Sequence, residues 1–246
     1  MECIITACPY HPFLYIYYLI KVPEDIKDMA ILAQPLSDLE KSMEEIINIQ
    51  KRMIWTCNDN TFHCRRALVI GTGTIGILFS LLLKTHGFDV TIANRRYASE
   101  NELKIFNLAD IRYYNSMNGY SFEENTFDLI IEASGSDANV ISETIGFIKN
   151  NGIFGLFGFV KKGDLTLSRY ILQNIVYKSI VIAGLINGQK PHFEMAMNHL
   201  IQWKHLFPGI EKLLITDSIK IDNENKIRDA LTKKSRGEIK TKILWD

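Results

Sequence analysis

The feature that most limits what this chain can fold into is the run Ala67-Leu-Val-Ile-Gly-Thr-Gly-Thr-Ile-Gly76. A short aliphatic strand leads directly into glycines spaced GxGxxG. An apolar stretch of helical character, Ile75 to His86, follows and is closed by Gly87. A second strand, Asp89-Val-Thr-Ile-Ala93, comes next. The glycine spacing alone is a weak signal. Between a strand and a helix, inside a βαβ unit, it reads as a dinucleotide-binding turn. Gly71 permits the tight turn, Gly73 lets backbone approach a pyrophosphate, and Gly76 lets helix and strand pack closely. The helix N-terminus turns unpaired N–H groups and a positive dipole end toward the phosphates.

The rest of the chain repeats this alternation. Strands are expected at Phe127–Ala133, Ile153–Phe157, Ser179–Ala183, Leu213–Ile221 and Ile239–Leu244. Helices are expected around Glu100–Ala109, Val140–Lys149, Leu167–Val176, His192–Leu206 and Glu224–Lys234. Short apolar strands separated by helices imply a parallel sheet covered on both faces. Ahead of it, Pro23 to Met53 is helical in pattern, with Leu36, Leu39, Met43, Ile46 and Ile47 near a 3.6-residue period. Pro35 should divide this stretch, with the second helix beginning near it. Thr56 to His63 is polar and turn-like and marks the clearest internal boundary. The expected fold class is therefore α/β, a Rossmann-type doubly wound parallel sheet with N-terminal flanking helices. Residues 1–56 form the flank and 57–246 the nucleotide-binding domain.

The end of the second strand bears on which nucleotide is held. A site built for NAD places Asp or Glu about 20 residues after the glycines, bonding the ribose 2′-hydroxyl. Here the chain reads Asn94-Arg95-Arg96, with no acid. Guanidinium forks match phosphate oxygens, so a 2′-phosphate and hence NADP is expected. Arg also stacks on adenine, which leaves NAD open. Ser134-Gly135, Gly158-Phe159 and Asn187-Gly188 each follow a later strand, at the carboxyl edge where open α/β sheets bind ligands.

Composition excludes several other classes. With 28 Lys+Arg against 28 Asp+Glu the formal net charge is zero, which argues against nucleic acid or an anionic membrane as the main partner. The apolar run Phe13–Ile20 falls short of the roughly 20 residues a spanning helix needs and reads as a strand. Four cysteines in 246 residues do not make a disulfide scaffold and suit a reducing cytoplasm. On that ground a Cys57–Cys64 disulfide is not expected. Cys3, Cys8 and His11, or Cys57, His63 and Cys64, lack paired CxxC spacing and read as loop residues rather than zinc ligands.

Several blocks together resemble the C-terminal part of archaeal glucose (aldose) 1-dehydrogenases, members of the zinc-dependent medium-chain dehydrogenase superfamily. They are Ile31-Leu-Ala-Gln-Pro-Leu-Ser-Asp38, Leu68 to Gly76, Ala93-Asn-Arg-Arg96, Tyr113-Tyr-Asn-Ser116, Gly155-Leu-Phe-Gly-Phe159, Gly184 to Phe193, Gly237-Glu-Ile-Lys240 and Ile243-Leu-Trp245. The resemblance runs from about Tyr18 to Asp246. It implies oxidation of an aldose such as glucose at C1 to the lactone, with hydride passing to NADP or NAD. It implies that Gly73, Thr74 and Ile75 lie along the pyrophosphate and that Asn94, Arg95 and Arg96 hold the 2′-phosphate end. It further implies that Phe157, Gly158, Phe159 and Asn187 lie by the nicotinamide, that Gln34 stands at a catalytic zinc and that Asp38 and Asn187 contact the sugar.

That family's GroES-like zinc-ligand domain has no counterpart here, so zinc chemistry is not expected of this chain alone. Either it works as an NADP-linked enzyme, by itself or with a catalytic-half partner chain, or it is an inert NADP(H)-binding homologue serving as sensor, regulator or oligomer partner. Ile31, Leu32 and Leu36 are expected to present apolar surface that invites association. A homodimer is the expected assembly.

Overall fold

The computed structural model describes residues 3–5, 19–233 and 237–244. The chain forms two compact units, Met43–Ile186 and Met1–Ser42 with Asn187–Asp246. Helix α1 (Ala33–Gln50) carries the first boundary between them.

The unit Met43–Ile186 holds β3 (Arg66–Ile70), α2 (Thr74–Thr85), β4 (Asp89–Asn94), α3 (Glu100–Leu108) and β5 (Arg112–Asn115). It continues with β6 (Phe127–Glu132), α4 (Asn139–Thr144), β7 (Ile148–Leu156), α5 (Arg169–Tyr177) and β8 (Val181–Gly184). Its six strands are parallel, in the order β5-β4-β3-β6-β7-β8. Chain order reverses at β3, which is the topological switch point of a doubly wound sheet. Register aligns the carboxyl ends: Ile70 pairs with Ala93 and Glu132, Glu132 with Leu156, and Leu156 with Gly184. The turns that follow these strands therefore emerge along one edge.

The burial pattern explains why these segments take these forms. β6 is buried at every position, as a central parallel strand covered on both faces must be. Gly76 to Leu83 of α2 are all buried, which accounts for a helix with almost no polar face. Leu68, Ile70, Phe127, Ile130, Ile141, Ile148 and Phe154 share one core cluster, flanked by Phe122 and Phe147. β5 escapes the sequence pattern because Arg-Tyr-Tyr-Asn is a half-exposed edge strand without an aliphatic run. The helix expected over Val140–Lys149 ends earlier: a 3-10 turn spans Ile145–Phe147 and β7 begins at Ile148. An apolar run this short fits either period, and pairing with β6 decides it.

The other unit holds β2 (Leu19–Lys21), which pairs antiparallel with β1 (Cys3–Ile5). It also holds α6 (Lys190–Leu206), α7 (Ile210–Leu214), β9 (Ile215–Lys220), α8 (Glu224–Thr232) and β10 (Lys240–Leu244). β9 and β10 pair with each other, parallel, in a sheet separate from the six strands. The single parallel sheet implied by the sequence is corrected in this respect. The helix expected ahead of Pro35 is instead a pair of 3-10 turns, Glu24–Ile26 and Ala30–Leu32, and Pro35 sits in the first turn of α1, where a missing N–H costs nothing. α6 packs on the Glu24–Ile26 turn and on β2. The apolar surface expected at Leu32 and Leu36 is not there, since both are fully buried, with Ile31 half-buried.

Of the expected strand Phe13–Ile20, residues 13–18 lie outside the described residues, as do Cys8 and His11. Contrary to expectation, Cys57 and Cys64 form a disulfide, with Cα atoms 6.0 Å apart. The turn between them brings the cysteines within the ordinary Cα spacing of a disulfide, a local geometry that compartment arguments do not see. Among the described residues, no helix is long and apolar enough to cross a membrane.

Candidate functional site

The glycines of the fingerprint each meet a distinct steric demand. Gly71 has φ +110°, a left-handed conformation, and a Cβ there would sit 3.0 Å from the Ser134 backbone. Its N–H donates to Ala93 O at 2.8 Å, which ties the turn to β4. Gly76 faces the turn itself, for an added Cβ would lie 1.9 Å from Gly71 O. The close approach is thus helix against glycine turn, more than helix against strand. Gly73 is the opposite case. It is exposed, stands at the N-cap of α2, makes no side-chain cap, and a Cβ there would meet nothing within 4 Å. The space beside Gly73 is thus open at the positive dipole end of α2, where half-buried Thr74 and Ile75 begin the helix.

The end of β4 is held by a polar network that the sequence reading only half anticipated. Asn94 Nδ2 donates to Thr72 Oγ1 at 2.5 Å, and Arg96 donates to the same hydroxyl oxygen at 3.0 Å. Arg96 also forms a two-pronged pair with Glu102, at 2.7 and 2.5 Å. Burial pushes the Glu102 carboxyl upward, but the Arg96 fork, the Ser99 backbone N–H and neighbouring hydroxyls outweigh it and hold the carboxyl at about 2. The same pairing raises the Arg96 guanidinium. Tyr113 Oη donates to Arg96 O and fixes the backbone. Arg95 is half exposed and lies 3.6 Å from Glu143. The sequence treated the two arginines alike; the structure locks one and leaves the other facing solvent. Glu102 was missed, although Ser99-x-x-Glu102 is a capping box, with Ser99 and Glu102 each accepting the other's backbone N–H.

The later turns meet the first one along the sheet edge. Glu132, buried at the end of β6, accepts from the backbone N–H groups of Ser134 and Gly135 and from the Ser134 hydroxyl. Its carbonyl accepts from Phe157 and Gly158 N–H, both at 2.9 Å. A Cβ at Gly158 would meet Gly135 N at 2.2 Å and Glu132 Oε2 at 2.7 Å. Phe157 and Gly158 are half-buried and Phe159 is exposed. One buried carboxylate thus organises both turns, which spacing alone did not reveal.

Gln34, Asp38 and Asn187 belong to the other unit, where the fold brings them close. Gln34 Nε2 donates to Asp38 Oδ2 at 3.4 Å, one helical turn apart. Asp38 Oδ1 accepts from Gly188 N–H at 2.7 Å, joining positions 150 residues apart in sequence. Asn187 is exposed, with φ +76°, and Gly188 has no room for a Cβ against Ser37. No set of His, Cys, Asp and Glu groups converges on Gln34 among the described residues. The one such group is Cys57, Asp59 and His63. The residues around Gln34 do not fit a zinc ion by themselves, because tight binding takes three or four good ligands.

Comparison with known proteins agrees with this architecture. The family model described as Glucose dehydrogenase C-terminus matches residues 27–244. Glucose 1-dehydrogenase 1 of Picrophilus torridus is 56% identical over 93% of this chain and 64% of its own length. Glucose 1-dehydrogenase 2 of Caldivirga maquilingensis is 53% identical over 93% of this chain and 63% of its own. The chain thus spans somewhat less than two thirds of these relatives. Among solved structures, Haloferax mediterranei glucose dehydrogenase in complex with NADP, Zn and gluconolactone superposes with a TM-score of 0.77 at 20% identity. That superposition covers 93% of this chain and 62% of the other. Bacillus subtilis 2R,3R-butanediol dehydrogenase shares the fold at a TM-score of 0.71 and 16% identity. With the family model covering most of its residues, the chain belongs to the glucose dehydrogenase C-terminus family.

Proposed function

We propose that this chain binds NADP and serves an aldose 1-dehydrogenase reaction, oxidising glucose or a related sugar at C1 to the lactone. The observation that carries the reading is the exposed glycine N-cap of α2, Gly73, with open space where a Cβ would stand, beside the Thr72–Asn94–Arg96–Glu102 network. In this reading the backbone N–H groups of Thr74 and Ile75 donate to the pyrophosphate, and Gly71, Gly73 and Gly76 make the approach sterically open. Arg95 pairs with the 2′-phosphate, Arg96 shapes the pocket under the lock of Glu102, and Asn94 holds Thr72 in place. The Phe157-Gly158-Phe159 turn borders the nicotinamide. When bound, NADP+ supplies the hydride acceptor.

Asp38 and Asn187 offer the sugar a carboxylate and an amide, the group types that read hydroxyls. Gln34 orients Asp38. No step through zinc is assigned to these residues. Residues 57–246 are taken as the nucleotide-binding segment, 1–56 as its flank, the assembly as a homodimer and the setting as cytoplasmic. The relatives named glucose 1-dehydrogenase, and the Haloferax structure named with NADP and gluconolactone, support the substrate and cofactor classes.

Calorimetry with NADP and NAD, followed by glucose-dependent reduction of NADP with and without chelator, tests the reading on one preparation. NADP binding with turnover supports it fully. Binding without turnover assigns the chain to inert cofactor binding, or to work with a partner chain. No binding of either nucleotide overturns it. A monomer by light scattering at micromolar concentration overturns the assembly.

A further inference from the structure

The segment Cys57–Cys64, between α1 and β3, places four metal-ligand side chains within eight residues, outside every part of the site above. Cys57 Sγ, an Asp59 carboxylate oxygen and a His63 ring nitrogen all lie within 4.8 Å of one another. Cys64 Sγ is bonded to Cys57 Sγ and so belongs to the same cluster. We propose that this loop is a redox-gated zinc site: once a dithiol reduces the Cys57–Cys64 bond, Cys57, Cys64, His63 and Asp59 bind one Zn2+.

Three further observations fit a metal loop rather than a mere staple. The Cys64 backbone N–H donates to Cys57 Sγ at 3.0 Å, a contact that favours thiolate over thiol once the disulfide opens. The turn is held by bonds that do not need the disulfide: Cys57 N–H to Thr61 O at 2.8 Å, and Asn60 N–H to Cys57 O at 2.9 Å. The acid is held against the imidazole: the Thr61 hydroxyl donates to Asp59 Oδ1 at 2.7 Å and lies 2.7 Å from His63 Nδ1, and Asp59 Oδ2 lies 3.2 Å from the same nitrogen. Zinc–ligand bonds of about 2.0–2.3 Å put tetrahedral donors roughly 3.3–3.8 Å apart, so the cluster closes by about an ångström on binding. His63 and Asp59 are 63% and 55% exposed, which leaves the ion a path in. Trp55 and Phe62 meet at a tilt, with ring centroids 5.6 Å apart, and both pack on Phe88, Phe62 by stacking and Trp55 by its edge.

A dithiol reductant supplies two electrons and two protons; the Cys57–Cys64 bond breaks, two S–H groups form, and the reductant becomes its own disulfide. Zn2+ then displaces both thiol protons to solvent and takes two thiolates, a ring nitrogen and a carboxylate oxygen. While the disulfide stands, neither sulfur is a thiolate ligand.

Co2+ is the spectroscopic probe, applied to the full chain carrying Cys3→Ser and Cys8→Ser and, in parallel, to the wild type. After reduction and removal of reductant under anaerobic conditions, one equivalent of Co2+ should produce thiolate charge-transfer absorption and intense visible bands of tetrahedral coordination. Zn2+ should displace it, and the oxidised protein should show neither feature. His63→Ala, at an exposed position that folding tolerates, should weaken Co2+ binding at least tenfold. Reduced protein without thiolate charge transfer overturns the proposal. So does binding unchanged by both His63→Ala and Asp59→Ala, or a spectrum that persists in oxidised protein.

Discussion

Replacing Glu102 by Gln removes the buried charge that holds Arg96 while keeping the side chain's shape. Glu102 is 1% exposed and accepts both prongs of the guanidinium, and its carboxyl falls from the ordinary 4.5 to about 2. At 1.36 kcal/mol per pH unit, that depression corresponds to roughly 3 kcal/mol of native-state stability. The sign follows from linkage. A carboxyl depressed in the folded state contributes fully above its unfolded value of 4.5, and the contribution drains away as pH falls toward 2. About 2 kcal/mol of it is gone by about pH 3. Wild type and Glu102→Gln should therefore differ in urea unfolding by roughly 3 kcal/mol at neutral pH and converge in acid. The same variant should lose NADP affinity at neutral pH, since Arg96 no longer has a fixed orientation under Thr72. A gap that stays constant between neutral and acid pH would refute the linkage argument, for then the cost is packing rather than charge.

The other perturbations separate the parts of the site. Arg95→Ala should weaken NADP binding by roughly 10- to 100-fold while sparing NAD, the size of one lost charge-assisted contact; calorimetry with both nucleotides measures it. Equal losses for both would assign Arg95 to adenine stacking instead. Gly76→Ala drives a Cβ to 1.9 Å from Gly71 O, so the turn must open; thermal unfolding should drop sharply and NADP binding vanish, whereas Gly73→Ala, with open space, should fold normally. Asp38→Ala removes the acceptor of the Gly188 N–H and should cost about 1–3 kcal/mol in stability, read by urea unfolding. Unchanged midpoints would show that the Gly188 bond to Asp38 contributes nothing.

How much was legible depended on whether local chemistry or distant pairing carried the information. The glycine turn announced itself because only glycine permits φ +110° at Gly71 and the contact at Gly76, so residue type and conformation are locked together. Strands β3, β4 and β6 were readable because burial on both faces demands continuous aliphatic runs. β5 was not, because an edge strand needs only half of that. The start of β7 and the separate pairing of β9 with β10 were not either, because partner strands decided both.

By itself, then, the sequence determined a βαβ unit with a glycine turn, its Asn94-Arg95-Arg96 end and the family to which these blocks point. Tertiary structure alone decided that Glu102 locks Arg96, that Glu132 organises the Ser134 and Phe157 turns, and that Asp38 meets Gly188. It also decided that Cys57 and Cys64 bond. These are contacts between side chains and backbone groups whose separation in sequence says nothing of their distance in space. Hydrogen bonding and burial reward them only once the chain has closed, so no local pattern needs to record them.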